Sequence, residues 1–477
     1  MGLETEYAFT PYDHDRNPLD RMLYSKLLIE LASDRYPSLY GRDRQDLFLA
    51  NGSRLYLDSG ANLLNLEVST SECTNLEELI AQVRAGDRML AALARELESS
   101  RPELHKAFIS KTNFDYSGTT SGSHENYLHT APQASMAPQL IPHLVTRVIY
   151  SGGGGFNAYA SNLEFMLSPR VYFLEQVMSP GSQNNRAIFT TRQEPLSNSR
   201  YGRLHLLCGE GVRFQMTEYL RFGVTALILR LVDAGFSPGR GIELDPLPAI
   251  NKVARDVHCK ELIGQINGGP ASAIAVQRHY LRQVQAQLGE PFMPDFAATV
   301  CDRWQDILNG LETDAMQYTG VLDWPTKLGL YRSFVEQKGH DWERLTCANK
   351  KSPQGIRASL FEFDIRFGDI ADNGPFDAFE LDNRSATRLV TESTIDDAMR
   401  IPPQGCRAKL RGDWIKRLSQ KRQGKECNWG SIQDHKAHKS ILFDDPLDLS
   451  EAKWTRDSPS HQASRLRAML LHEVLST

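Results

Sequence analysis

Between Asn51 and Cys73 the chain reads NGSRLYLDSGANLLNLEVSTSEC, and its first half alternates polar and apolar positions. Arg54, Tyr56 and Asp58 fall on one side of a predicted strand, with Leu55 and Leu57 on the other. A guanidinium, a phenol and a carboxylate then share one face over a leucine backing. That arrangement fits a sheet with one side on a core and one side free for chemistry, and it equally fits a strand whose polar face is only wet. The N-terminus repeats the pattern: in GLETEYAFT, Glu4 and Glu6 share a face opposite Leu3, Thr5 and Tyr7. Two carboxylates so placed repel unless a cation lies between them, and a hard ion such as Mg2+ suits oxygen ligands. A charged edge strand is the alternative. A further acidic pair, Glu67 and Glu72, follows the Arg54–Asp58 segment.

Helical spacing takes over elsewhere. Arg21–Ala32, Leu76–Leu97, Gln215–Ala234 and Ile274–Leu288 each carry an apolar stripe and are expected to pack as core helices. Phe108–Thr130 runs from a Gly/Ser/Thr-rich loop into His124-Glu125-Asn126-Tyr127, a weak signal for a ligand-binding strand or helix start. Gly152–Gly155 offers backbone amides to an anion, but no GK[ST] follows, so a flexible loop is expected. Arg192 and Glu194 precede a turn at Pro195, and Arg203 and His205 lie two apart on a following strand, which suits phosphate or carboxylate binding or a salt-bridged hairpin. Leu360–Ile370 alternates Phe361, Phe363, Ile365 and Phe367 with polar residues and reads as another one-sided strand. Arg400–Lys425 is markedly basic and carries Pro402-Pro403 near its start, as at the boundary of a small C-terminal domain.

Composition narrows the class. The 477 residues suffice for a sizeable core, and 41% hydrophobic with 24% charged residues is ordinary for a globular protein. Lys+Arg 54 against Asp+Glu 59 argues against nucleic-acid or membrane-surface binding in bulk, so the basic run is better suited to a small anion or an acidic peptide. No apolar run is long enough to span a bilayer, no secretory leader is evident, and the seven cysteines never form CxxC. A reduced, cytoplasmic protein is expected.

Taken in order, GLETEY, NGSRLYLD, GSHENYL, TTRQEP with GRLHLL, LDWPTKLGL and IPPQGCRAKLRGDWI resemble the Pup ligase and Pup deamidase/depupylase family over nearly the whole chain. The resemblance implies an α+β fold like glutamine synthetase: a curved antiparallel sheet cradling ATP and Mg2+, helices on its outer face, and a small C-terminal domain. The expected division is 1–395 for the catalytic domain and 396–477 for the small domain, which contributes to the nucleotide site. By resemblance, Glu4, Tyr56 and Glu67 match the metal positions, Arg54, Thr70 and Trp429 the ATP positions, and Asp58 the catalytic base. Glu6 joins the expected metal set, Arg192 and Arg407 join the cofactor set, and Glu194 and His205 are further candidates.

The chemistry implied is ATP-dependent activation of a C-terminal glutamate γ-carboxylate on a Pup-like protein, followed by isopeptide formation with a lysine of an acceptor protein, with the proteasome system as a further partner. The short connection 11–50 matches the ligase branch. The alternatives are a deamidase or depupylase, a paralogue joining another peptide or small amine, and a non-catalytic nucleotide-binding scaffold. The chain departs from the family pattern around Ser59–Leu66, where HPEY is expected, at Gly209–Phe214 and at Phe367–Ile370. These departures gather at the expected substrate end.

Overall fold

Strict alternation makes β1, Gly2–Tyr12, a strand with every second residue buried. The same period shapes β4, Arg54–Asp58, where Leu55 and Leu57 are buried and the polar side chains between them are half-buried. The computed structural model describes residues 1–42, 44–58, 65–180, 186–192, 197–348, 350–371, 374–380 and 388–456. Besides β1 and β4 the main sheet holds β2 (Ser38–Tyr40), β3 (Asp46–Leu49), β5 (Asn65–Ser69), β6 (Lys106–Ser110), β7 (Ser123–His129) and the strand Gly202–Leu206. Its eight strands run in the order Gly202–Leu206, β7, β1, β5, β4, β3, β2, with β6 paired to the far half of β1, and every pairing is antiparallel.

Register decides what the polar face presents. Glu6 lies opposite Glu67, Glu67 opposite Tyr56, and Tyr56 opposite Asp46, so one row crosses four strands. The neighbouring row sets His124, Glu4, Ser69, Arg54 and Phe48 side by side. Beneath the sheet, Tyr7, Phe9, Leu55, Leu57, Leu66 and Val68 pack on α1 (Arg21–Arg35) and α2 (Leu76–Ser100). Each fully buried aliphatic side chain there contributes about 1.5–3 kcal/mol. Asn75 caps α2 by accepting the Glu78 N–H at 2.8 Å, and the helix extends the expected stripe by one turn. A larger helical core includes the expected helices Gln215–Asp233 and Ala273–Gln285.

The small C-terminal sheet pairs Lys425–Cys427, Ser431–Asp434, Lys439–Leu442 and Thr455–Arg456. Its Cys427, Ile432 and Ile441 share an apolar cluster with Leu39 and Phe48 of the main sheet's edge, so it docks there rather than standing apart. This is the α+β arrangement expected from the resemblance: a multi-stranded antiparallel sheet, helices on one face and a small C-terminal β-rich part. Among the described residues no helix is long and apolar enough to cross a membrane, and all seven cysteines are free thiols.

Two sequence expectations fail. The predicted strand Leu360–Ile370 is mostly helix, Gln354–Phe367. Ile356, Leu360, Asp364 and Phe367 are its buried positions, a helical spacing that the local Phe/polar alternation disguised. Asp364 is buried because Lys327 Nζ donates to it at 2.8 Å and the Tyr331 and Tyr116 hydroxyls at 2.5 Å. Nor is Gly152–Gly155 the open, flexible loop expected: it is tightly packed. All four glycines are buried, and three of their amides already donate, Gly152 to Val148 O, Gly153 to Glu210 Oε2 and Gly154 to Leu167 O. A Cβ on Gly152 would lie 2.2 Å from the Leu167 carbonyl oxygen, so close backbone packing explains that glycine. Gly152→Ala should therefore destabilise the fold by about 2–3 kcal/mol in urea unfolding, the cost of overpacking against backbone that cannot step aside.

Candidate functional site

The polar face of the sheet concentrates negative charge. Glu6, Asp58 and Glu67 bring carboxylate oxygens within 4.8 Å of one another, and Glu4, His124 and His205 form a second such group beside them. Glu67 is 3% exposed, and its Oε1 has no hydrogen-bond partner. Tyr56 is hydrogen-bonded to the same carboxylate. Burial, with Glu4 and Glu6 adding their charge, pushes the Glu67 carboxyl up to about 8. A buried carboxylate among like charges, with one oxygen unsatisfied, is the environment that a cation relieves. Three carboxylates suit a hard ion such as Mg2+, whereas the group with two imidazoles is softer.

Glu4 is held differently. Asn126 Nδ2 donates to its Oε1 at 3.3 Å, His205 Nε2 lies 3.2 Å from its Oε2, and His124 Nδ1 lies 3.6 Å from the same oxygen. Burial alone would raise this carboxyl, but the His124 and His205 contacts outweigh it and hold Glu4 well below the usual carboxylate range. His124 itself, although desolvated, is raised by Glu4 and Glu6, while burial lowers His205. Glu6 Oε2 accepts the Gly122 N–H at 2.5 Å, which fixes the carboxylate at the loop before β7. Of the HEN triplet, His124 and Asn126 face the site, whereas Glu125 points into the core and pairs with Arg147. The strand alternation was the signal that separates them, once β7 is read as a strand.

A cavity of about 130 Å3, open to solvent, lies beside Glu4 and is lined by Thr70, Glu72, Arg203, Arg407 and Trp429, among others. Thr70 Oγ1 accepts the Leu3 N–H at 2.9 Å, tying the end of β5 to β1. Trp429 comes from the turn between two C-terminal strands and stands edge-on to Phe48 at 5.4 Å. Arg54 lies one strand further on, gripped by Asp46 and stacked over Tyr56. Arg192 is exposed just past the strand Ala187–Thr190 and is not among the described residues lining the cavity. Glu194, and 59–64 of the variant loop, lie outside the described residues. The structure thus brings together Glu4, Glu6, Tyr56, Asp58, Glu67, Thr70, Arg407 and Trp429; the sequence marked Asn126 and Arg203 only as weaker binding candidates and left Asp46 unmarked.

The basic run of the C-terminal part is not one solvated patch. In the helix Arg407–Leu418, Arg407 and Arg411 are buried and converge on Glu72. Arg407 Nε donates to Glu72 Oε1 at 2.8 Å, and Arg411 Nη2 to Oε2 at 2.5 Å. Arg411 also donates to the Gly52 and Trp429 carbonyls at 3.1 Å. Burial pushes the Glu72 carboxyl up, but Arg411 and Arg407 dominate and hold it well below its ordinary range. Glu72, read from sequence beside Glu67 as one acidic cluster, therefore clamps the C-terminal part to the sheet. Glu72→Gln should cost about 3–5 kcal/mol in thermal or urea unfolding at neutral pH, because two guanidiniums lose their counter-charge. Since the folded-state pKa is depressed, this deficit should be fully present above about pH 5 and shrink as pH falls below about 4.

Comparison with known proteins agrees with this geometry. The family model described as Pup-ligase protein matches residues 1–433. The Pup--protein ligase of Paenarthrobacter aurescens is 31% identical over 467 residues, covering 94% of this chain and 96% of that protein. The Pup--protein ligase of Micrococcus luteus is 31% identical over 469 residues, covering 95% and 96%. Among solved structures, the crystal structure of the complex between the prokaryotic ubiquitin-like protein Pup and its ligase PafA superposes with a TM-score of 0.78 at 25% identity, covering 99% of this chain and 94% of that one. PafA in complex with ADP gives a TM-score of 0.73 at 25% identity, covering 94% of each. The antiparallel sheet, the crowd of carboxylates on its polar face and these matches along nearly the full length make this chain a member of the Pup-ligase family.

Proposed function

We propose that this protein is an ATP- and Mg2+-dependent ligase that activates the γ-carboxylate of a C-terminal glutamate on a Pup-like protein and joins it to a lysine ε-amine. The observation that carries the reading is the Glu6–Asp58–Glu67 group, with its unpartnered buried Glu67 oxygen, next to a cavity lined by Glu4, Thr70, Arg407 and Trp429. Relatives of matching length are Pup--protein ligases, and two similar structures are complexes of the ligase PafA with Pup and with ADP.

In this reading the nucleotide occupies the cavity between the sheet and the C-terminal part. Arg54 and Arg407 supply positive charge for phosphate oxygens, Thr70 borders the phosphates and Trp429 gives an apolar wall. Glu6 and Glu67, with Glu4 and Tyr56 alongside, would hold Mg2+, which when bound neutralises charge on the phosphates. The γ-carboxylate oxygen attacks the terminal phosphorus, the bond to the β-phosphate oxygen breaks, and γ-glutamyl phosphate and ADP result. A lysine amine then attacks the acyl carbon, phosphate leaves and the isopeptide bond forms. Near neutral pH the lysine is mostly protonated. We assign removal of that proton to Asp58, which shares the acidic group with Glu6 and Glu67.

Residues 1–395 carry the sheet and its chemistry in this account, and the part from 396 onward brings Arg407 and Trp429 to the nucleotide. A cytoplasmic setting suits the free thiols. Incubation with ATP, Mg2+, a Glu-ended Pup-like protein and a lysine-bearing acceptor should yield an isopeptide conjugate detectable by mass spectrometry. Asp58→Asn should lower the conjugation rate by about 100-fold or more while ATP affinity stays within about threefold. Ammonia release from a Gln-ended peptide without any conjugate would instead identify a deamidase.

A further inference from the structure

Asp46 is a further acidic residue on the polar face of the sheet. It opens β3 and lies directly across from Tyr56. Its Oδ2 accepts from Arg54 Nε at 3.0 Å and lies 2.8 Å from Arg54 Nη2. The guanidinium so held lies over the Tyr56 ring, 4.0 Å from its centroid, with the Phe48 ring 5.5 Å away. Tyr56 in turn is hydrogen-bonded to Glu67. The backbone makes room for this arrangement, because a Cβ on Gly41 would lie 2.0 Å from Asp46 Oδ1. A continuous chain of contacts therefore runs from the Gly41 turn through Asp46, Arg54 and Tyr56 to the carboxylate group.

We infer that Asp46 is a positioning residue for the nucleotide step, fixing the plane of Arg54 so that its remaining N–H donors meet phosphate. The inference rests on the reading above that Arg54 binds the nucleotide. A guanidinium carries five donors in a rigid fork; anchoring one edge to a carboxylate and one face to an aromatic ring leaves the other edge aimed in a single direction. An unanchored arginine loses several rotatable bonds' worth of freedom when it binds, and prior anchoring removes that cost. Asp46 also offsets part of the arginine's charge, which works against phosphate binding. The pair is partly exposed, with side chains 27% and 14% accessible, so solvent screens this opposing effect while the geometric restraint is kept in full. Positioning therefore outweighs neutralisation.

The test is steady-state ATP kinetics on full-length wild type, Asp46→Ala, Asp46→Asn, Arg54→Gln and the double variant Asp46→Ala/Arg54→Gln. Asp46→Ala should raise KM for ATP about tenfold with kcat within about threefold, since ground-state and transition-state binding of the nucleotide suffer alike. Asp46→Asn keeps an acceptor for Arg54 without a longer side chain, and should return KM to within about threefold of wild type. Asp46→Ala should add less than about twofold in the Arg54→Gln background, because its effect passes through that arginine. An unchanged KM in Asp46→Ala while Arg54→Gln raises it overturns the role of Asp46 alone. An equal increase in both backgrounds does the same. An unchanged KM in Arg54→Gln overturns the assignment of Arg54 to the nucleotide, and the role of Asp46 falls with it.

Discussion

Mutual repulsion among the carboxylates on one sheet face is the constraint to which the rest of the structure answers. Glu4, Glu6, Asp58 and Glu67 come from three adjacent strands, and the antiparallel register leaves them no room to diverge. Left alone, such a cluster would be destabilising, because buried like charges cannot all remain ionised. The protein relieves part of it from within: two histidines and an asparagine engage Glu4, a backbone amide engages Glu6, and a tyrosine engages Glu67. One buried oxygen of Glu67 is left over. A site that stabilises most of its own charge and keeps a buried Glu67 oxygen unpaired is suited to binding a divalent cation.

The second organising feature is the attachment of the C-terminal part. Glu72 lies five residues past Glu67 and turns away from the acidic group to engage Arg407 and Arg411. The clamp brings Trp429 beside Phe48 and sets Arg407 in the cavity wall. One stretch of chain, from Arg54 to Glu72, thus supplies Asp58 and Glu67 of the acidic group, Thr70 of the cavity wall and the anchor for the C-terminal part. Stability and function share these residues, so substitutions at Glu72 affect the cavity through the fold rather than through chemistry.

Much of this was legible in the sequence. The period-two pattern of Gly2–Tyr12 and Arg54–Asp58 assigned the faces of β1 and β4 correctly, since one side of each strand is fully buried and hydrophobicity records that directly. What was lost depended on distant partners. Asp364 looks like a strand's exposed residue until Lys327 and two tyrosines, far off in sequence, bury it on a helix. The four glycines suggest flexibility until the Leu167 carbonyl fills the space beside Gly152. Glu67 and Glu72 look alike in sequence, and only the arginines more than 300 residues away separate them. Asp46 carried no motif, and its grip on Arg54 exists only because β3 and β4 pair in this register.

The central claim is that the crowded carboxylates form a divalent-cation site with Glu67 as a required ligand. The most direct measurement is the affinity for Mn2+, a paramagnetic stand-in for Mg2+, followed by electron paramagnetic resonance with ADP present, for wild type and Glu67→Gln. Wild type should bind the ion at this site and Glu67→Gln should weaken it by about tenfold or more, since one anionic ligand is lost from a hard-cation site. Equal Mn2+ affinity in the two proteins, both folded by circular dichroism, would contradict it.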